Sequence, residues 1–505
     1  MKKAVPLKKT KYLELAKQIQ KSDQFKIASN ALAYNTISQL CIDQSYVMQQ
    51  PFVFSHDILP KTLTITNQNQ SGRCWLFSAL NMIRAFLVKK WNVSNVELSQ
   101  SYLAFWDKFE RCNKYLEDVI KTSYHPLTDR SVDDLLNWGI GDGGFFEYAV
   151  NIIEKYGIVP SEVMPDSFSA KNTQLLNKLV NRKLKIATVQ LRKHRLDAKK
   201  VAEIKEGCLR DLLKVLTRAY GPIPQAFKYT ITADKKSKQI AAKSPLDFYQ
   251  KHVNFSFDSY LDLICNPVDA MKKNQRYELE DTRSIIESEN VVVLNVEMSV
   301  LKLCILATLL DNKPLWFACD VTSHGDRNKG IWDFQAFNYE QLFGINLNQN
   351  RIDLINSYQI ASNHAMSLVG FNLDEAQTKM NQKQLLKDIS KYKNNVDKLV
   401  DALVKTFAID RWKIENSWGD KYGSKGFFVM TDAWFNQFVS QAIVCKKALK
   451  TFLNKSKHVN QQLWNKLKKV ITYEKLVGKY LKTTPILYSK YAPLSFKVNQ
   501  DETSR

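Results

Sequence analysis

Helical spacing of apolar residues dominates the first part of this chain, and strand signals gather after residue 290. From Cys74 to Trp91 apolar residues recur at Trp75, Phe77, Leu80, Ile83, Phe86 and Leu87, which is the spacing of a helix. Residues 97–120 read as a second helix, and helix resumes from Glu147 to Tyr156. The strand signals are Val291 to Val296, Leu315 to Val321, Ala365 to Phe371, Ala408 to Glu415 and Gly426 to Met430. Between Gly139 and Gly144, four glycines within six residues predict a loop. No internal repeat, GxGxxG run or P-loop sequence is visible.

Five segments follow. Residues 1–60 form an N-terminal arm of mixed helix and loop, and residues 61–164 a helical part. Residues 165–290, lysine-rich with helical stretches, look like an insertion. Residues 291–445 are β-rich, interrupted at about 375–405 by a lysine-rich helical stripe of Leu385, Ile389, Tyr392, Val396, Leu399 and Leu403. Residues 446–505 carry further amphipathic helix, with Leu463, Trp464, Leu467, Val470 and Ile471, and then a tail. Both amphipathic stretches are expected to pack on the surface of the fold.

With 505 residues and 45% hydrophobic content the chain can bury a sizeable core, and its length suits two or three structural units. The formal net charge is +23. Lysines spread along the whole chain supply most of it, which describes a solvated basic surface first. Such a surface also permits weak, non-specific, salt-sensitive nucleic-acid binding. No basic helix with interleaved aromatics marks a dedicated nucleic-acid site. The basic start, Met1 to Lys9, has no apolar core behind it and is not expected to be a secretory signal. The run from Val300 to Leu310 carries Lys302 and is shorter than the roughly 20 apolar residues of a membrane span. The eight cysteines form no CxxC pair and no zinc spacing, so free thiols in a reducing, cytoplasmic compartment are expected, with no membrane association.

Three segments carry chemistry. In Asn67-Gln68-Asn69-Gln70-Ser71-Gly72-Arg73-Cys74-Trp75 a polar loop runs into a long helix, with the cysteine at the junction. The positive end of the helix favours thiolate over thiol, and thiolate is the nucleophile. In Ser362-Asn363-His364-Ala365-Met366 a histidine opens an apolar strand. In Trp412-Lys413-Ile414-Glu415-Asn416-Ser417-Trp418-Gly419 an alternating strand ends on Asn, followed by a Trp able to cover it. An Asn accepting from one imidazole nitrogen fixes the tautomer and leaves the other for the thiol.

The order Gln…Cys-Trp, His, Asn-Ser-Trp-Gly resembles that of papain-like cysteine peptidases, and most closely the bleomycin hydrolase and aminopeptidase C branch. Further similar runs are Glu97 to Leu103, Ile140 to Gly144, Lys155 to Pro160 and Trp316 to Val321. The resemblance covers most of residues 10–445 and the tail near 484–498. It implies an α+β, papain-like two-lobed fold, with Cys74 on a helical lobe and His364 and Asn416 on a β-rich lobe. It implies Cys74 as nucleophile, His364 as general base and acid, Asn416 as orienting residue and Gln68 as a donor to the oxyanion. Gly143 and Gly144 resemble the glycines that let a substrate backbone approach closely, and Val498 falls where the family's chain end lies in the cleft. Ser71 stands where secreted relatives carry a disulfide cysteine, in keeping with a reducing compartment. The implied activity is removal of N-terminal residues from peptide substrates through a thioester, by a homo-hexamer with no metal or other cofactor. Alternatives on the same residues are a thiol endopeptidase, an acyl transferase, or a basic nucleic-acid-binding ring with secondary peptidase activity.

Overall fold

The computed structural model describes residues 4–59, 63–233, 236–392, 395–454, 458–472 and, for the backbone, 487–489. It divides the apolar interior into two large clusters, one under helices and one around a sheet.

The helical cluster is built by α1 (Cys74–Trp91), α2 (Gln100–Lys121), α3 (Phe146–Tyr156), α4 (Gln174–Lys193) and α5 (Ala198–Tyr220). Helix α1 is almost wholly buried along its first ten residues and stops at Asn92, which takes a left-handed conformation with φ of 51°. Ser99 caps α2 by accepting from Tyr102 N–H at 3.1 Å. Leu176, Val180, Leu184, Ala187 and Leu191 recur on one face of α4 and are buried, as an amphipathic helix packed on a core requires.

The sheet runs β2-β3-β1-β8-β4-β5-β6-β7 through its centre, where β1 is Tyr260–Ile264, β2 Gln275–Leu279, β3 Val292–Asn295, β4 Leu315–Cys319, β5 His364–Leu373, β6 Ile409–Glu415, β7 Phe427–Thr431 and β8 Val439–Cys445. All five residues of β4 are buried, and β4 lies antiparallel to both β5 and β8. Helix α6 (Met298–Leu310) is apolar on every side and buried. It is the segment too short to span a membrane, and its Lys302 pairs with Asp432 at 2.7 Å. Among the described residues no helix is long and apolar enough to cross a membrane. The stripe residues Leu385, Ile389, Leu399 and Leu403 are buried in the same cluster, as are Leu463, Trp464, Leu467 and Ile471. Both amphipathic stretches therefore cover the outer side of the β-rich lobe.

The stretch 165–290 differs from its helical reading. Residues 174–220 are mostly helix, but Phe227–Ala233 and Lys236–Ala242 form an antiparallel hairpin, and β1 and β2 belong to the main sheet. Strand β1 pairs antiparallel with β8 across Ile264↔Gln441 to Tyr260↔Cys445. A five-residue segment acquires its strand conformation from that distant partner, so local pattern does not reveal it.

The two lobes meet along α1 and β5. Trp316 Nε1–H donates to the Trp75 carbonyl at 3.0 Å, and the Ser78 and Ser367 hydroxyls lie 3.2 Å apart.

Candidate active site

Cys74 is the first residue of α1 and is 6% exposed. Its N-cap, Arg73, makes no side-chain cap, so no side chain from that position covers the positive end of the helix. Arg73 instead turns inward, pairing with Asp166 at 3.0 Å and donating to Ser71 Oγ at 2.9 Å. Six residues before Cys74, the Gln68 carboxamide is held at both ends. Its Nε2–H donates to the Ser71 carbonyl at 2.7 Å, and its Oε1 accepts from Ser417 Oγ–H at 2.6 Å.

His364 begins β5, opposite Cys319 of β4, and is 2% exposed. Its Nε2 lies 2.9 Å from Asn416 Oδ1. The same oxygen accepts the Ser417 N–H at 2.8 Å. An oxygen that already accepts an amide requires Nε2 to be the protonated nitrogen, which leaves Nδ1 as the basic one. The Trp418 ring stacks on the imidazole with centroids 4.8 Å apart and planes at 26°. Burial pushes the His364 pKa down to about 4; the Asn416 hydrogen bond opposes this and the Arg327 charge adds to it.

The glycine loop is fixed from behind. Arg111 donates to the Gly143 carbonyl at 2.9 Å and to the Gly141 carbonyl at 2.8 Å. Trp75 Nε1–H donates to the Asp142 carbonyl at 2.7 Å. The Asp142 carboxylate accepts from Lys108 at 2.7 Å, from Gly72 N–H at 3.3 Å and from the Thr173 hydroxyl. Burial alone would raise the Asp142 pKa, but Lys108, Thr173 and Asn177 outweigh it and hold the group well below the usual carboxylate range. Asp142 thus fastens the loop before Cys74 to the glycine loop. A Cβ added at Gly144 would meet Trp75 Cε2 and Tyr148 Cδ2, each at 2.8 Å, so the indole itself requires glycine there.

Gln68, Cys74, Gly143, Gly144, His364 and Trp418 line one cavity of about 1590 Å³, and Asn416 stands behind His364 with no exposure. Of the residues singled out in the sequence, Val498 alone lies outside the described residues. Sequence reasoning missed Asp142 as a hub, Arg111 and Ser417. A signal existed for Arg111: Asp107, Lys108 and Arg111 interrupt the buried face of α2, and charged groups there need partners.

A thiol at a helix start, a buried imidazole fixed by an amide, and a second amide lining the same cavity define the thiol-dependent acyl-transfer class. The Peptidase C1-like family model matches residues 6–386 and 399–467. Aminopeptidase C of Listeria monocytogenes is 34% identical over 406 residues, covering 80% of this chain and 84% of the relative. Bleomycin hydrolase of Homo sapiens is 29% identical over 450 residues, covering 87% and 93%. The crystal structure of PepW from Lactobacillus rhamnosis superposes with a TM-score of 0.80 at 28% identity, covering 97% of this chain and 99% of that one. The chain belongs to the Peptidase C1-like family, and its fold is the α+β, papain-like one.

Proposed function

We infer that the chain is a cysteine aminopeptidase acting on peptides through a thioester. The observation that carries the reading is the His364 Nε2–Asn416 Oδ1 bond of 2.9 Å, which commits the other imidazole nitrogen to the cavity shared with Cys74. Its relatives' names, aminopeptidase C, aminopeptidase G and bleomycin hydrolase, agree on the reaction class.

In this reading Nδ1 of His364 takes the Cys74 Sγ proton. Burial disfavours the imidazolium, so the new thiolate beside it supplies the compensating charge. The thiolate attacks the scissile carbonyl carbon. The resulting oxyanion accepts from the second N–H of Gln68 Nε2 and from the Cys74 backbone N–H; losing one such donor typically costs about 10²–10³ in rate. The imidazolium then gives its proton to the departing amine as the C–N bond breaks. Water, deprotonated by the same nitrogen, hydrolyses the thioester. Arg111 and Asp142 hold the backbone of Gly143 and Gly144 for the acyl side of the substrate. No metal or organic cofactor is required.

Restriction to free N-termini is assigned to the segment beyond Ser489, including Val498. The strand Leu487–Ser489 pairs parallel with β2, setting Ser489 against Leu279, one residue before the cavity-lining Glu280. The enzyme is proposed to act in the cytoplasm as a homo-hexamer, with weak, salt-sensitive nucleic-acid binding through its net charge of +23. Matched peptides with free and acetylated N-termini test the reading, with Cys74→Ala as control. Wild-type cleavage of the free peptide only, lost in Cys74→Ala, is expected. Equal cleavage of both peptides would make the enzyme an endopeptidase. Activity surviving in Cys74→Ala would end the thiol mechanism.

A further inference from the structure

Arg327 is an exposed cation at the catalytic cavity, with two aromatic rings beside it. Its guanidinium carbon lies 4.7 Å from the Trp418 ring centroid and 4.1 Å from that of Tyr422. Trp418 is the ring that stacks on His364, and Arg327, Trp418 and Tyr422 all line the cavity. Among the described residues Arg327 forms no ion pair. Asp420 and Lys421, which line the same stretch, are opposite in sign.

The loop that carries Arg327 is built to hold it. Asp326 Oδ1 accepts the backbone N–H groups of Asn328 at 2.8 Å and Lys329 at 3.0 Å, and Gly330 N–H donates to the Asp326 carbonyl at 2.8 Å. Gly423 N–H donates to the Asn328 carbonyl at 3.0 Å, which ties this loop to the one bearing Tyr422. The two loops touch through glycines: a Cβ on Gly330, at φ of 69°, would sit 2.5 Å from the Gly423 Cα. The two rings hold the guanidinium through cation–π contact, and its N–H groups form the fork that matches a carboxylate.

The chemistry fixes which part of a substrate comes here. The departing amine must reach His364 to receive its proton. The residue that carries that amine therefore lies against His364 and the Trp418 ring, and Arg327 is the next group along. We propose that Arg327 is a specificity residue for the leaving-group side, recognising a carboxylate on the residue immediately after the scissile bond. That carboxylate is either an Asp or Glu side chain or, in a dipeptide, the free C-terminus. The inference rests on the peptidase reading above.

Two substrate pairs separate these sources. One compares free-amine tetrapeptide amides with Glu or Gln as second residue, and the other compares a dipeptide with its own C-terminal amide. Wild-type enzyme at low salt should favour the carboxylate in at least one pair by about tenfold in kcat/KM, as expected for one charge-assisted contact. The pair that responds identifies the source. Raising the salt should shrink the ratio. Arg327→Gln should bring it close to one, and Arg327→Glu should turn the preference toward a second-position Lys. A role for Arg327 in supporting Trp418 alone would slow both members of a pair equally and leave the ratio unchanged, which would overturn the proposal. A wild-type ratio near one in both pairs would overturn it as well. If wild-type protein cleaves none of these peptides, the peptidase reading falls and takes this inference with it.

Discussion

The Ser417 hydroxyl donates to Gln68 Oε1 at 2.6 Å, joining the residue after Asn416 to the amide six residues before Cys74. Both side chains are buried. The bond sets the rotation of the Gln68 carboxamide, so its Nε2 has one N–H on the Ser71 carbonyl and one for the cavity. Ser417→Ala should therefore loosen a transition-state donor more than it disturbs binding. A buried neutral hydrogen bond contributes roughly 1 kcal/mol, so kcat should fall about five- to tenfold with KM nearly constant. Steady-state kinetics decide it: a rise in KM at unchanged kcat would remove the assigned role.

All eight cysteines are buried free thiols, yet they should not react alike. Burial pushes Cys112 and Cys304 up to about 12 and Cys208 to about 11, and also raises Cys41 and Cys319. Cys74 alone combines a helix start with a cavity wall. Brief iodoacetamide treatment followed by peptide mapping should find Cys74 labelled first, with activity lost in step.

His364 should make the fold sensitive to acid. Its folded pKa, about 4, lies below the 6.5 of an unperturbed histidine, so between those values the unfolded chain binds more protons. The contribution is complete above about pH 6.5 and is lost as pH falls toward 4, roughly 3 kcal/mol in all. Glu415, raised to about 7 by burial against the pull of Arg84 and Lys413, runs the other way: its contribution is present in acid and lost as pH rises through 7. Denaturant midpoints of Cys74→Ala and Cys74→Ala/His364→Gln across pH 4–7 should isolate the histidine. The single variant should lose stability in acid more steeply than the double.

Gly144→Ala should harm folding and turnover together, because the new methyl would have to displace the Trp75 indole or Tyr148 ring. Overpacking of this kind costs about 1–3 kcal/mol. A lowered melting temperature, with a fall in kcat/KM for every peptide tested, is expected. Gly141→Ala, whose Cβ meets nothing within 4 Å, is the matched control and should melt within a degree or two of wild type.

The parts legible in the sequence are those whose determinants are local. Val291 to Val296 announced β3 because a short, valine-rich apolar run has few other uses, and Cys74 marked a helix start because polar loop and apolar period meet there. Strand β8 was missed: Ser440 and Gln441 interrupt its apolar run, and both are buried because β4 and β1 flank it on either side. Strands β1 and β2 sit among lysines and charged neighbours and become strands only through pairing. At the site, Cys74, His364 and Asn416 were legible through their order along the chain and the short runs around them, since a helix-start cysteine or a strand histidine alone has other uses. The Asp107, Lys108, Arg111 and Asp142 cluster was not, because its meaning depends on α2 facing the glycine loop. Once paired it is consequential: stripping Asp142 of its charge would leave the buried Lys108 ammonium without a carboxylate, with Asn177 Oδ1 as a neutral acceptor, and breaking such a buried pair typically costs about 3–5 kcal/mol.

Two backbone rungs, Gln68 N–H to the Ser417 carbonyl at 2.7 Å and Gly419 N–H to the Thr66 carbonyl at 3.0 Å, stitch the approach to Cys74 onto the exit from Asn416. The seam runs beside the reacting atoms, where a hinged pair of lobes would need slack. Separating the lobes along it would pull the oxyanion donor away from the base it serves. Two such rungs oppose a closing movement around the substrate, which leaves selection among peptides to the walls of the slot.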